Sequence, residues 1–282
     1  MSTLFVEQLT VIDCAYLDAE RGLVGESWIV DVELEGDLDH QSMVLDFGEV
    51  KRRLKRAIDA GMDHTLLVPT AAPELSLSAH DGMVELLFRS ELGAIEHRSP
   101  AIAVTSVAAA EVDQAAVTAH LQTQLKPILP ANVARLGLRL RHERIDGACY
   151  QYVHGLKKHA GQCQRIAHGH RSRLEVRVDG QRDAALEQEI ALAWTDIYLA
   201  TREDTVARAN GRVRFAYDAP EGRFELALPE PHIDWLEGDS TVERIAEHLS
   251  WVVRARRPRA AVEVRAYEGV MKGGLARLPA GA

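Results

Sequence analysis

The segment Leu138-Arg139-Leu140-Arg141-His142-Glu143 recurs near the end of the chain as Val262-Glu263-Val264-Arg265-Ala266-Tyr267-Glu268, with a slip of one residue. Apolar and charged residues alternate in both segments, which predicts a half-buried strand that is followed by a glutamate. A repeat of this kind within 282 residues indicates that the fold contains two copies of one unit.

The elements that precede these two strands also match in order. Ala116-Val117-Thr118-Ala119-His120-Leu121 corresponds to Ile245-Ala246-Glu247-His248-Leu249, and Met83-Val84-Glu85-Leu86-Leu87 corresponds to Arg223-Phe224-Glu225-Leu226-Ala227. We therefore predict two domains, residues 1–150 and 151–282, that meet near Tyr150 to Tyr152. Because no Gly/Ser-rich or Pro-rich linker separates them, we expect them to pack directly together.

Local patterns assign helices and strands to each half, so the predicted class is α+β. The first half is predicted to contain strands at Leu4–Ile12, Trp28–Leu34 and Leu136–Arg141, helices at Asp46–Ala60 and Ala108–Leu125, and a hairpin at Leu75–Phe88. The second half is predicted to contain strands at Leu174–Val178 and Ala261–Ala266, helices at Ala184–Ala200 and Thr241–Val253, and a hairpin between Val213 and Leu228. Asp46 is expected to cap the first helix.

Composition and charge exclude several classes of protein. The net charge of −9 argues against a general nucleic-acid or membrane-surface binder, whose affinity would come from Lys and Arg. No apolar run approaches the roughly 20 residues of a membrane helix, and the N-terminus lacks a signal-peptide pattern. We therefore expect a cytoplasmic protein in which the three cysteines are free thiols.

The densest polar cluster lies between His154 and His170. His168 and His170 are two residues apart on a predicted strand, so both imidazoles point to one face, and His154 completes a set of three. Three histidines with one position left open are typical of a catalytic zinc site. A solvated, His-rich loop is the alternative, and His159 is an alternative to His154 as a ligand.

Cys163 lies between His154 and the His168-Gly169-His170 pair. A lone cysteine is usually a small buried hydrophobic residue. The neighbours of this one are polar, and a nearby cation would favour the thiolate, so Cys163 is a candidate nucleophile or base, or a further metal ligand. Cys14 and Cys149 have apolar or strand neighbours and are interpreted as core residues.

His154, Cys163 and His168-Gly169-His170, in this order, resemble the pattern of the 6-pyruvoyl-tetrahydropterin synthase / 6-carboxy-tetrahydropterin synthase family. The resemblance extends to Met43–Lys51, which is similar to the family's helix-opening motif, and to Met62-Asp63-His64, which is similar to its "L-D-H" motif. Glu268 has the position of the family's pterin-binding glutamate. Together these motifs span nearly the whole chain, here as a tandem duplication.

The resemblance implies a fold of two tandem tunnelling-fold (T-fold) domains. Each would be a four-stranded antiparallel sheet with two helices on one face, plus an inserted hairpin. Sheets from several copies close into a barrel, so we expect a homo-oligomer. The resemblance also implies Zn²⁺ bound by His154, His168 and His170, a catalytic triad of Cys163, Asp63 and His64, and substrate binding by Glu268 and, secondarily, Glu143.

The motifs are divided between the two halves. The first half has Asp63-His64 but reads Val24-Gly25-Glu26 where His-Gly-His would fall, and Cys14-Ala15-Tyr16 near the first histidine. The second half has the three histidines and Cys163, and we predict that Thr201–Thr205, which contains no histidine, is its equivalent of Asp63-His64. We therefore predict one composite site, built from both halves. In the alternative, Asp63-His64 is only a helix-end cap and a surface histidine.

The function implied is that of a zinc-dependent lyase acting on 7,8-dihydroneopterin triphosphate. The expected product is 6-carboxy-5,6,7,8-tetrahydropterin, on the route to 7-deazaguanines such as queuosine. The alternatives are 6-pyruvoyl-tetrahydropterin synthase and a non-catalytic pterin-binding relative. The partner is thus a small pterin triphosphate rather than a nucleic acid or membrane, and its phosphates have candidate contacts in Lys157, Lys158, Arg165 and Arg171.

Overall fold

Two repeats with the same order of elements, apart from two additional strands in the second, follow one another in the computed structural model, which describes residues 1–281. The first repeat contains β1 (Ser2–Asp18), β2 (Gly22–Gly36), α1 (Phe47–Gly61), β3 (Leu66–Pro69), β4 (Leu75–His80), β5 (Met83–Ser90), β6 (Gly93–Pro100), β7 (Val104–Val107), α2 (Gln114–Leu125) and β8 (Val133–Arg141). The second contains β9 (Cys149–His154), β10 (His168–Val178), β11 (Gln181–Arg182), α3 (Ala184–Ala193), β12 (Thr195–Thr201), β13 (Thr205–Ala209), β14 (Arg212–Ala219), β15 (Gly222–Pro229), β16 (Ile233–Leu236), α4 (Val242–Arg256), β17 (Val262–Tyr267) and β18 (Gly273–Leu278). The predicted duplication and α+β class are confirmed.

Each repeat is built on one mixed sheet. The strand orders are β7-β3-β1-β2-β8 and β16-β12-β9-β10-β17-β18. The central strands pair antiparallel, as expected, but β3 runs parallel to β1 and β7 runs parallel to β3. This arises because α1 carries the chain back along the sheet, so that β3 continues in the direction of β1; parallel pairs need such a crossover.

A third sheet joins the two repeats. Strands β4–β6 and β13–β15 form one six-stranded sheet, in which β6 of the first repeat pairs with β15 of the second. Each repeat therefore contributes three strands to this sheet as an insertion, β4–β6 in the first and β13–β15 in the second, whereas each predicted hairpin has two. By element order β5 corresponds to β14, so the expected match of Met83–Leu87 with Arg223–Ala227 is wrong by one strand.

The predicted helix Ala184–Ala200 is also wrong in its second half. α3 ends at Ala193, and β12 begins at Thr195. Asp196 has a φ of 54°, which breaks the helix, and the residues that follow are buried between β9 and β16. Pairing within the sheet thus overrides the Ala-rich local pattern.

The two helices of the first repeat each begin at a capping aspartate. Val50, Leu54 and Ile58 form the buried face of α1, and the Asp46 carboxylate accepts a hydrogen bond from the Glu49 N–H, which confirms the predicted cap. α2 begins at Gln114, later than predicted, because Asp113 caps it. No helix within residues 1–281 combines the length and the apolar character needed to cross a membrane.

Buried apolar residues of both repeats form a common core beneath the six-stranded sheet. Leu17 and Phe88 of the first repeat pack in one cluster with Val153, Phe215 and Phe224 of the second. β2 also lies against β9 and β10, so the repeats contact each other through strands as well as through the insertions. The expectation of directly packed halves therefore agrees with the fold, and side chains of both repeats can reach one site.

Candidate active site

Three buried histidines converge where β9 meets β10. His154 lies opposite His168 in the antiparallel register, and His168 and His170 share one face of β10. One ring nitrogen from each lies within 4.8 Å of those of the other two. The structure therefore brings together the three residues that the sequence nominated as metal ligands.

The oxygens beside the three rings, two in hydrogen bonds and one in a charge contact, define which nitrogens face the common point. Nδ1 of His154 is 2.9 Å from the Ser240 carbonyl oxygen, and Nδ1 of His168 is 2.8 Å from the Arg165 carbonyl oxygen. Nδ1 of His170 is 3.3 Å from Asp13 Oδ1. An oxygen behind each Nδ1 favours the tautomer that leaves the Nε2 lone pair free to coordinate.

The donor set fits a metal ion. All three Nε2 atoms are buried without a hydrogen-bond partner within the described residues. Burial also lowers the pKa of His154 and His168 well below the usual value, so both are neutral, which is the form that binds metal. Imidazole nitrogens suit Zn²⁺ and other borderline ions rather than Mg²⁺ or Ca²⁺.

Asp63, His64 and Cys163 lie beside this cluster. Asp63 Oδ2 is 2.8 Å from His64 Nδ1, and one ligand atom each of His64, Cys163 and His168 lie within 4.8 Å of one another. Burial alone would lower the pKa of His64, but its contacts with Asp63 and Cys163 outweigh burial and raise that pKa to about 10. Residues of the first repeat thus complete a cluster that the second repeat begins.

His64 is not the surface residue of the alternative interpretation. Its side chain is only 13% exposed, its backbone has a φ of 54°, and its N–H donates to the Asp13 carbonyl oxygen. In the second repeat, Asp196 has the equivalent position after the helix, and its φ is also 54°. Thr201–Thr205 is therefore not the counterpart of Asp63-His64, because these residues lie at the far end of β12.

The two glutamates occupy equivalent positions in different surroundings. Glu268 follows β17, and its Oε1 is 4.0 Å from Nε2 of both His154 and His170. Glu143 follows β8, where its backbone carbonyl accepts a hydrogen bond from Arg171 and its buried Oε2 has no partner among residues 1–281. Glu268 therefore faces the histidine cluster, as expected for a residue that contacts substrate.

The remaining candidates have other roles in the structure. His159 is exposed and its Nδ1 accepts from the Gly161 N–H, which excludes it from the cluster. Arg165 is buried and forms two contacts with Glu221, at 2.8 and 3.1 Å, so it is not available to phosphate. Lys157 pairs with Asp204, and Lys158 pairs with Glu203 and Asp239, which fastens the loop that carries Cys163.

The corresponding region of the first repeat contains an arginine. The strand register places Tyr16, Val24 and Glu26 where His154, His168 and His170 lie in the second repeat. The Arg21 guanidinium donates to the Tyr16 hydroxyl at 3.1 Å, to both oxygens of Asp196 at 2.6 and 2.8 Å, and to Gln151 at 2.6 Å. A side-chain cation thus lies among the counterparts of the metal ligands.

Asp13 is the site residue that sequence reasoning missed. It is 3% exposed, and burial would raise its pKa, but His170, Lys272 and Ser27 hold that pKa well below the usual value. The available signal was a charged residue inside the apolar run Val11–Ala15, directly after the predicted strand Leu4–Ile12. A buried charge in such a run needs a partner, and here the partner comes from the other repeat.

Comparison with known proteins identifies the family of the chain. The family model described as 6-pyruvoyl tetrahydropterin synthase matches residues 15–122 and 147–271, one segment in each repeat. The solved 6-pyruvoyl tetrahydropterin synthases of Plasmodium vivax and Plasmodium falciparum are 18% and 15% identical to the chain, each with a TM-score of 0.38, and the alignments cover 50% of this chain and 97% of theirs. No curated protein matches the chain. The two matched segments show that the chain belongs to the 6-pyruvoyl tetrahydropterin synthase family, with one copy of the family unit in each half.

Proposed function

We propose that this chain is a zinc-dependent 6-carboxy-5,6,7,8-tetrahydropterin synthase that converts 7,8-dihydroneopterin triphosphate on the queuosine and 7-deazaguanine route. The observation that carries the proposal is the position of Cys163, His64 and Asp63 beside three buried Nε2 atoms. Membership of the family supports the substrate class. We further propose a cytoplasmic homo-oligomer as its working form.

His154, His168 and His170 would hold the ion, which supplies Lewis acidity toward substrate oxygens when bound. Cys163 then acts as the general base that removes a proton from the substrate side chain. His64, oriented by Asp63 at 2.8 Å, carries a proton on the opposite side of the reacting carbons. The Asp63 carboxylate also stabilises the charged form of His64, since their contact raises its pKa.

Glu268 is proposed to bind the pterin ring. The 2-amino group and an adjacent ring N–H form a planar edge of two donors, which one carboxylate can accept. The Glu268 side chain is 23% exposed, so substrate can reach it from the open side of the histidine cluster. Its position fixes the ring so that the substrate side chain points toward Cys163.

The family name favours 6-pyruvoyl-tetrahydropterin synthase as a second candidate function, since the matched family model carries that description. The two reactions differ in their products. Both release triphosphate from the substrate, but only the 6-carboxy reaction also releases acetaldehyde. Non-catalytic pterin binding is the third possibility and releases neither.

The test is product analysis by mass spectrometry with zinc-loaded protein and 7,8-dihydroneopterin triphosphate. We expect 6-carboxy-tetrahydropterin, acetaldehyde and triphosphate in equal amounts. Cys163→Ala should reduce triphosphate release at least about 100-fold, the order of a general-base contribution. Cys149→Ala is the matched control, because Cys149 lies at the start of β9 outside the histidine cluster. Pterin binding without triphosphate release would overturn the catalytic proposal.

A further inference from the structure

We propose that Asp13, a first-repeat residue, is the positioning residue that orients the metal ligand His170 and ties it to the Asp63-His64 segment. The inference rests on the proposed function only in that the three histidines bind a metal. It adds a fourth side chain to the site that neither the family motifs nor the ligand set contains.

The Asp13 carboxylate is the anionic group behind His170. Oδ1 lies 3.3 Å from His170 Nδ1 and accepts a hydrogen bond from the Ser27 hydroxyl. Oδ2 lies 3.1 Å from Nζ of Lys272, the residue whose carbonyl accepts the Glu268 N–H. The carboxylate is 3% exposed, so these groups rather than water determine its orientation.

The backbone of Asp13 holds the proton-transfer residues at the same time. Its N–H donates to Asp63 Oδ1 at 2.9 Å, and its carbonyl accepts the His64 N–H at 2.6 Å. One residue of β1 therefore contacts a metal ligand of the second repeat and both polar residues that follow α1. Movement of β1 would displace both parts of the site together.

The partners of the other two histidines carry no charge. His154 and His168 face neutral backbone carbonyls, of Ser240 and Arg165, whereas His170 faces a carboxylate from the other repeat. A carboxylate behind a ligating imidazole fixes the tautomer and the ring orientation and makes Nε2 a stronger donor. Loss of such a partner typically weakens metal binding about 10- to 100-fold.

The internal symmetry of the chain supplies a control residue. Asp13 pairs with Ser27 in the β1–β2 hairpin, and Gln151 pairs with Arg171 at the same step of the β9–β10 hairpin. Gln151 contacts Glu26 at 3.3 Å and Arg21 at 2.6 Å, both in the first-repeat region that lacks the histidines. A change at Gln151 alters an equivalent cross-repeat contact without touching His170.

The experiment titrates metal-free protein with Zn²⁺ in competition with a chromogenic chelator, with no substrate present. Asp13→Asn should weaken Zn²⁺ binding about 10- to 100-fold, whereas Gln151→Asn should leave the affinity within about two-fold. Excess Zn²⁺ should restore turnover to Asp13→Asn, because the backbone contacts of residue 13 persist. An affinity equal to that of the parent protein would overturn the proposal.

A second variant keeps the test decisive if Asp13→Asn does not fold. Ser27→Ala removes one hydrogen bond to the carboxylate and should weaken Zn²⁺ binding several-fold, and an unchanged affinity in that variant would also overturn the proposal. The readout is independent of catalysis. A chain that binds Zn²⁺ in an Asp13-dependent way but releases no triphosphate would refute the proposed function and leave this inference standing.

Discussion

Gly25 of β2 and Gly169 of β10 occupy the same position in the two repeats and lie against each other. A β-carbon on Gly169 would be 2.6 Å from the Gly25 Cα, and one on Gly25 would be 2.0 Å from the Tyr152 carbonyl oxygen. Both distances are shorter than any ordinary contact of a β-carbon, and the neighbouring atoms are backbone. Only glycine therefore permits this approach, which brings β2 and Asp13 of β1 close to His168 and His170.

Gly25→Ala should separate the repeats at the site. Overpacking against backbone should cost about 3 kcal/mol of unfolding free energy, and Zn²⁺ affinity should fall because β1 moves away from His170. Thermal unfolding and metal titration would measure both effects. Gly48→Ala in the first turn of α1 is the control, since its β-carbon meets only the Asp46 side chain. Equal melting temperatures for the two variants would contradict the prediction.

The chain should bind one zinc ion rather than two. The first repeat has Tyr16, Val24 and Glu26 at the ligand positions, and Arg21 lies among them. Elemental analysis of purified protein should give one equivalent per chain, and His168→Ala should abolish it. Tyr16→Phe, a change at the counterpart of His154, should keep the full equivalent. Two tightly bound equivalents would show that the arginine does not replace a metal.

Arg21→Ala should destabilise the protein without changing its metal content. Removing one partner of a mostly buried pair leaves Asp196 without its cation; we expect on the order of 2 kcal/mol, because the Arg21 side chain is 37% exposed. Chemical denaturation would measure the loss. Arg135→Ala, which breaks the more exposed pair with Glu35, should cost less than about 1 kcal/mol. Similar losses in the two variants would argue against a specific role for Arg21.

Two inactive variants should not complement each other. His64 and Cys163 belong to different repeats, but they come together within one chain. A mixture of His64→Ala and Cys163→Ala proteins, refolded together, should therefore release no more triphosphate than either variant alone. Recovery toward a quarter or more of the parent activity would mean that the site forms between chains instead.

The sequence predicted the candidate ligands and catalytic residues better than the residues that hold them in position. His154, His168, His170 and Cys163 follow from spacing and the family motifs, because they are the side chains proposed to bind the metal and to react. Asp13 stands out as a charge in an apolar run, but its role and that of Arg21 cannot be assigned from the local sequence, since both depend on which strand faces which across the repeats. The α3–β12 boundary failed for the same reason: burial between β9 and β16, rather than local propensity, makes residues 195–201 a strand.

His97 should make the protein less stable in acid. This residue lies in β6 and is 3% exposed, and burial lowers its pKa to about 4. The unfolded chain has a His pKa near 6.5, so it binds more protons below that value, and stability falls as the pH drops from 6.5 toward 4.

His97→Gln keeps a hydrogen-bonding group near Ser99 and should reduce this loss by up to about 3 kcal/mol. Denaturant unfolding of both proteins at pH 7 and pH 4 would measure the difference, in which the contributions of the common carboxylates cancel. Parallel pH profiles for the two proteins would contradict this prediction, because they would mean that folding does not change the pKa of His97.

Both repeats belong to one chain, and the pairing of β6 with β15 holds them together. Because the two repeats always occur together, neither needs to contain every residue of the site. Asp63 and His64 lie in the first repeat and the three histidines in the second, while Arg21 lies beside Tyr16, the counterpart of His154. Each repeat can therefore lack those residues of the site that the other repeat supplies.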